Sequence, residues 1–349
     1  MTASQPAFRA LLARIADGHA LDEDQATLVF DTLMAGEATP AQMGALLMGL
    51  RVRGETVAEI TGAARAMRAK ATRVDAPDGA MDIVGTGGDA SGTYNISTGA
   101  ALVTAACGVP VAKHGNRAAS SRSGSADVLA ALGVNLDAPL PLVETAMREA
   151  GIGFLFAQRH HGAMKHVAPV RGEMGVRTIF NLLGPLSNPA GAKREVMGVF
   201  ARAWVEPLAE VLGRLGAERA WVVHGADGLD EITTTTETHV AAWENGTVTS
   251  FTITPEDAGL LRARPQDLKG GTPEQNADAI RALLDGAKGP YRDIVVFNAA
   301  AALVVAGTAA DLKAGAAQAA DAIDSGAARA TLARLVAVTH RPPEGSATA

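Results

Sequence analysis

Residues 113–125, KHGNRAASSRSGS, carry Lys113, Arg117 and Arg122 with no acidic residue, beside four serines and two glycines. Permanent cations, hydroxyls and a backbone free to fold round a ligand suit a polyphosphate; a solvated surface loop is the plainer alternative. A second stretch, GTGGDASGTYNIST at 85–98, sets Gly85, Gly87 and Gly88 before Asn95, Ser97 and Thr98. Such glycines let successive N–H groups face an anion, and the polar residues stand at a helix entry, where free N–H groups and the dipole favour phosphate. Three glycines alone fit a turn and an N-cap equally well, and the run matches neither the dinucleotide fingerprint nor the P-loop. The third stretch, HGADGLDEITTTTET at 224–238, places Asp230 beside Glu231. On a strand neighbouring carboxylates point apart; on a turn both can aim at one Mg²⁺ that shares substrate phosphates. An exposed acidic turn is the bland reading, weakened by finding three ion-suited loops in equivalent positions.

The equivalence comes from what precedes each loop. MDIV, VPVAK and RAWVV are short apolar runs, and NISTGAALVTAACG and SADVLAALG read as helices. Strand, glycine-rich loop and helix in repetition predict an α/β fold with a mainly parallel sheet, whose ligands bind beyond the carboxyl ends of the strands. Further strands are expected at GIGFLFA and REVMGVF, and Asn245-Gly246 predicts a hairpin. The first 75 residues read as helices alone: Asp22 with Gln25, Thr39 with Gln42 and Thr56 with Glu59 have capping-box spacing, and Met43, Leu46, Leu47 and Leu50 form an apolar set. The expected division is a helical domain over 1–75, to which 165–192 returns, an α/β domain over 76–164 and 193–342, and a tail over 343–349.

Bulk properties narrow the partners. The formal net charge is −6 and the sequence pI about 5.8, against a nucleic-acid-binding surface. No apolar run reaches the about 18 residues of a membrane span. The one cysteine, Cys107, cannot form an intrachain disulfide. A soluble, cytoplasmic protein with no membrane or nucleic-acid partner is expected.

Taken together, GTGGD, NIST, KHGNRAASSRSGSADVL, VRTIFNLLGPLSNP and LDE, in this order over nearly the whole chain, resemble the anthranilate phosphoribosyltransferase family, of the nucleoside phosphorylase/phosphoribosyltransferase class III fold. The resemblance implies transfer of the phosphoribosyl group of 5-phosphoribosyl 1-pyrophosphate (PRPP) to the amino group of anthranilate, in tryptophan biosynthesis. It implies a PRPP site from Gly85, Gly88, Asp89, Thr93 and the stretch Asn95, Ile96, Ser97 and Thr98. The same site would take Lys113, His114, Gly115, Asn116, Arg117, Ala118, Ala119, Ser120 and Ser121, with Ser125. Two Mg²⁺ ions per subunit are implied, on Ser97, Asp230 and Glu231. Gly85, Asn116 and Arg171 fall where the family contacts anthranilate, and a homodimer through the helical domain is implied. Ala90 stands for a common Gly, Tyr94 for a frequent Phe, Gly162 for a typical Pro, and RGEMG differs from the usual run after Arg171. His114 is either a hydrogen-bonded structural group or a late proton acceptor.

Two rivals remain at this point. A pyrimidine nucleoside phosphorylase shares the fold, but its KHSGR-type phosphate run does not match HGNRAASS. A non-catalytic, nucleic-acid-binding relative would need a basic surface.

Overall fold

Capping decides where the first helices begin. Asp22 Oδ1 accepts the Gln25 N–H at 2.8 Å while Gln25 Oε1 accepts the Asp22 N–H, and Thr39–Gln42 and Thr56–Glu59 repeat the exchange. Such a cap stabilises a helix start by about 1 kcal/mol. The computed structural model, which describes residues 4–118 and 122–342, opens with α1 (Ser4–Ala16), α2 (Glu23–Met34), α3 (Pro40–Arg53) and α4 (Val57–Ala69). Met43, Leu46, Leu47 and Leu50 are all buried on α3.

The chain then alternates: β1 (Met81–Gly85), α5 (Ile96–Ala106), β2 (Val111–Gly115), α6 (Ser125–Ala131), α7 (Leu140–Glu149) and β3 (Ile152–Phe156). The short helices α8 (Ala157–His160), α9 (Ala168–Met174) and α10 (Phe180–Leu183) interrupt it. It resumes with β4 (Arg194–Gly198), α11 (Val205–Arg214), β5 (Arg219–Gly225), β6 (Thr238–Glu244) and β7 (Thr247–Ile253). The helices α12 (Pro273–Leu284), α13 (Pro290–Ala306), α14 (Leu312–Asp324) and α15 (Ala327–Thr339) complete the described chain. The strands form one sheet in the order β3-β2-β1-β4-β5-β6-β7, parallel through β5 and antiparallel beyond it. The hairpin falls at Asn245-Gly246, both at positive φ (52° and 81°), as a right-twisted two-residue turn requires.

Side-chain alternation gives the sheet two cores. Ile83, Val111, Val196 and Val223 pack under α5, α13 and α15. On the other face, Val84, Met197, Val199 and Val222 join one cluster with α2, α3, α4 and α11. Val167, Val170, Ile179, Phe180 and Leu182 belong to that second cluster, and the Phe180 ring meets Phe30 edge-on at 5.7 Å. Apolar residues between Val167 and Leu186 therefore pack with the first four helices, whereas Asn188 turns to the strands, donating to Asp82 and to the Ala112 carbonyl. No helix among the described residues is long and apolar enough to cross a membrane.

Candidate active site

Strand order turns at one place. From β1 the chain moves to β2 on one side, while β4 lies on the other, which opens a crevice at their carboxyl ends. Gly85 and Gly198 are register partners there, and Asp230, arriving from the loop after β5, lies over both. A Cβ on Gly85 would come within 2.6 Å of Asp230 Oδ2, and one on Gly198 would collide with the Asp230 carbonyl. Glycine at both positions is what lets the acidic loop cross the seam.

That loop binds the other two. Asp230 Oδ2 accepts the Gly87 N–H at 2.6 Å, and Glu231 Oε1 accepts the Ser97 N–H at 3.3 Å, at the first turn of α5. Asp89 Oδ2 accepts the Asp230 N–H at 3.5 Å. Lys113 is 2% exposed; its ammonium donates to the Ile83 carbonyl at 2.7 Å and reaches Ser97 Oγ at 3.4 Å. Burial pushes the Lys113 ammonium pKa down, opposed by Asp82 and Glu231. Burial raises Glu231 to about 7 against the pull of Lys113, and burial with repulsion from Asp89 and Glu231 raises Asp230 well above the usual range. Asp89, Asp230 and Glu231 repel one another, and of the three only Glu231 is eased by the Lys113 ammonium, so the cluster is short of positive charge.

A divalent cation fits this donor set. Among the described residues no three acidic, histidine or cysteine side chains form a ready-made cage, so an ion here takes most ligands from water and bound phosphate, as Mg²⁺ does.

The loop geometry follows from residue type. Gly87, Gly88 and Gly92 have positive φ, and Ala90 shares that conformation at φ 57°, where a Cβ carries strain. Asp89 Oδ1 accepts the Ser91 N–H at 3.1 Å, and the Ser91 and Thr93 hydroxyls lie 3.2 Å apart. Thr98 is buried and its hydroxyl has no partner among the described residues. At β2, Gly115 lies against Ser125 Oγ, and Ser125 Oγ donates to the Asn116 carbonyl at 3.3 Å.

The cationic loop is less free than its composition suggests. Asp127, just past the run without acids, pairs with Arg117 at 3.0 Å and accepts the N–H groups of Ala118 and Gly124. Arg117 also lies over the Phe156 ring at 5.7 Å. Asp127 therefore holds the loop at Ala118 and Gly124 and offsets one of its cations, a role that its place in an amphipathic helix hides. Ala119, Ser120 and Ser121, and the 343–349 tail, lie outside the described residues.

Two expected donor-site side chains point elsewhere. Ile96 packs with Leu229, Leu268 and Ile294, so only its backbone can serve. His114 alternates with Lys113 and emerges on the opposite face of the sheet. Its Nε2 lies 3.2 Å from Nε2 of His161, and its ring also bonds the Gly184 carbonyl. Burial drives its pKa well below the ordinary value and that of His161 to about 4. This is a neutral, hydrogen-bonded pair, the surroundings of a structural histidine. His161 gave no separate signal in sequence, since its partner is 47 residues away.

Arg171, on α9, stacks over Phe180 at 5.3 Å, and burial lowers its pKa. No carboxylate pairs with it among the described residues, which leaves a half-buried guanidinium suited to an incoming carboxylate.

Comparisons with known proteins agree with this layout. Residues 9–71 match the family model "Glycosyl transferase family, helical bundle domain" and 77–329 match "Glycosyl transferase family, a/b domain". The anthranilate phosphoribosyltransferase of Rhodospirillum rubrum is 72% identical over 96% of each chain, and that of Azospirillum brasilense is 67% identical over 95% of this chain and 93% of that one. The Thermus thermophilus enzyme structure superposes with a TM-score of 0.90 at 51% identity, covering 95% and 99% of the two chains. The Saccharomyces cerevisiae enzyme, solved with PRPP and Mg, gives 0.86 at 26% identity over 95% and 97%. With the glycine seam, the acidic loop and the helical unit all in place, the chain belongs to the anthranilate phosphoribosyltransferase family.

Proposed function

We propose that the protein transfers the phosphoribosyl group of PRPP to the amino group of anthranilate, releasing pyrophosphate. One observation carries the reading: the acidic loop after β5 hydrogen-bonds both to the glycine loop after β1, at Gly87, and to the start of α5, at Ser97. Carboxylates, helix N–H groups and the Lys113 ammonium thus surround one volume at the carboxyl edge of the sheet.

The nucleophile, an arylamine, is neutral near pH 7 and needs no strong base. The difficult event is departure of pyrophosphate from the anomeric carbon as positive charge builds on the ribose. Lys113 and the N–H groups of the glycine loop and α5 stabilise the leaving charge. Asp230, Glu231 and Ser97 would hold Mg²⁺, two ions per subunit, which would supply further neutralisation of the pyrophosphate. Gly85, Gly88, Asp89, Thr93, Thr98, Asn116 and Ser125 shape the donor site, and Arg171 receives the anthranilate carboxylate with Gly85 and Asn116 alongside. Holding amine and carbon in line can lower the barrier by about 7–11 kcal/mol. No serine acts as a nucleophile, and His114 has no proton step.

The helical unit comprises 1–75 with 165–192, and anthranilate binds between it and the α/β unit. The second copy in a homodimer covers α3, whose outer face exposes Ala41, Ala45, Met48 and Val52; Val52 is 78% exposed. The enzyme is cytoplasmic. A fluorescence assay of anthranilate consumption, omitting PRPP or Mg²⁺ in turn, tests the activity: turnover is expected only with both, and turnover without PRPP contradicts it.

A further inference from the structure

The glycine loop is braced by a segment that carries no recognisable motif. Thr93 forms an antiparallel bridge with Lys269, Gly270 N–H donates to the Gly92 carbonyl at 2.9 Å, and Tyr94 N–H to the Leu268 carbonyl at 3.1 Å. A Cβ on Gly270 would lie 2.6 Å from the Thr93 carbonyl oxygen, so the approach needs glycine.

At the end of this segment stands Asn276, 2% exposed. Its Oδ1 accepts the Gly271 N–H at 2.7 Å, and its Nδ2 donates to Asn95 Oδ1 at 2.9 Å across 181 residues of sequence. Asn95 in turn accepts from Ser123 Oγ and donates from Nδ2 to the Ser123 carbonyl, both at 3.2 Å. The amide orientations are mutually fixed. Gly271 N–H can only donate and the Ser123 carbonyl can only accept, so Asn95 Oδ1 must face Asn276 Nδ2. The Asn95 side chain thereby ties the entry of α5, which follows the glycine loop, to the end of the cationic loop, and the buried Asn276 amide fixes the orientation in which it does so.

We propose that Asn276 is a positioning residue of the donor site: by holding Asn95 it sets the separation of the two loops that take the phosphates of PRPP. The inference rests on the donor-site reading above. Asn276→Asp keeps the acceptor for Gly271 but sets oxygen against oxygen at Asn95. It is expected to raise the KM for PRPP about ten-fold, with the KM for anthranilate unchanged within about two-fold. Ser123→Ala removes the hydroxyl contact to Asn95 and should shift the PRPP KM the same way by about three-fold. Because both act through Asn95, each combined with Asn95→Ala should give less than the product of the single effects.

Lys113→Ala distinguishes loss of the donor site from loss of its positioning by Asn276. If it raises the PRPP KM while Asn276→Asp does not, the positioning role is overturned and the donor site stands. If Lys113→Ala is itself silent, the donor-site reading fails. Lower thermal stability of Asn276→Asp with an unchanged PRPP KM also overturns the proposal. Should Asn276→Asp not fold, fully multiplicative effects of Ser123→Ala and Asn95→Ala overturn it, and a sub-multiplicative pair supports it.

Discussion

Asp230 and Glu231 leave β5 on a loop and meet backbone N–H groups of two other elements, whereas Asp82 and Glu195 are register partners on β1 and β4. Both pairs have raised pKa values, and all four carboxyls but that of Glu231, which is part-buried, are buried, yet their surroundings differ. Asp82 is closed off by protein: its oxygens accept the His114 N–H and the Asn188 amide at 3.1 and 2.7 Å, and burial puts it at about 6. Glu195 has no hydrogen-bond partner for either oxygen among the described residues. Burial and the Asp82 charge raise it well above the ordinary range, eased by Arg68. The upper pair stands beside Gly85, Gly87 and Gly198 at the strand ends; the lower pair lies within β1 and β4. A raised carboxyl pKa therefore does not mark a site by itself. A place at the strand ends, beside glycines that a side chain could not replace, does.

The contrast gives its largest prediction at the upper pair. Asp230→Asn with Glu231→Gln should lower kcat by about a hundred-fold or more and alter the Mg²⁺ dependence of turnover. An unchanged metal titration would remove those residues from metal binding.

Next in size, Arg171→Ala should raise the anthranilate KM about ten-fold, the loss of a charge-assisted hydrogen bond, with less effect on PRPP. Equal losses for both substrates would count against the assignment.

The lower pair should behave differently. A carboxyl whose folded pKa is raised contributes stability that is complete below its unfolded value and is lost as pH rises through the folded one. Glu195→Gln removes that loss. Its Tm should exceed that of the parent by about 2 °C at about pH 8 and match it at about pH 4, with kcat unaltered. A fall in kcat would erase the distinction between the two pairs.

The smallest effect is expected at Ala90. Ala90→Gly relieves a left-handed alanine but frees the unfolded chain, so thermal unfolding should show Tm moving by less than about 2 °C.

The sequence showed much of the upper site because its chemistry is local. Glycines at strand ends, an acid pair on a turn and hydroxyls at a helix entry each declare themselves within a dozen residues. Glu195 was hidden inside REVMGVF, where one polar residue in an apolar run looks like ordinary alternation. Asn276 and His161 were invisible for another reason: their partners lie 181 and 47 residues away, and only the folded chain brings them together. The capping boxes and the Asn245-Gly246 turn were legible because hydrogen-bond geometry and φ constrain residue type directly.

With Asp230 and Glu231 as its metal ligands, the acidic loop makes donor binding depend on a divalent cation. Calorimetric titration of PRPP into the parent protein and the Asp230→Asn/Glu231→Gln variant, with and without Mg²⁺, tests it most directly. Mg²⁺ is expected to tighten PRPP binding to the parent and to have little effect on the variant; an equal Mg²⁺ enhancement in both would show that the acidic loop does not carry the ion.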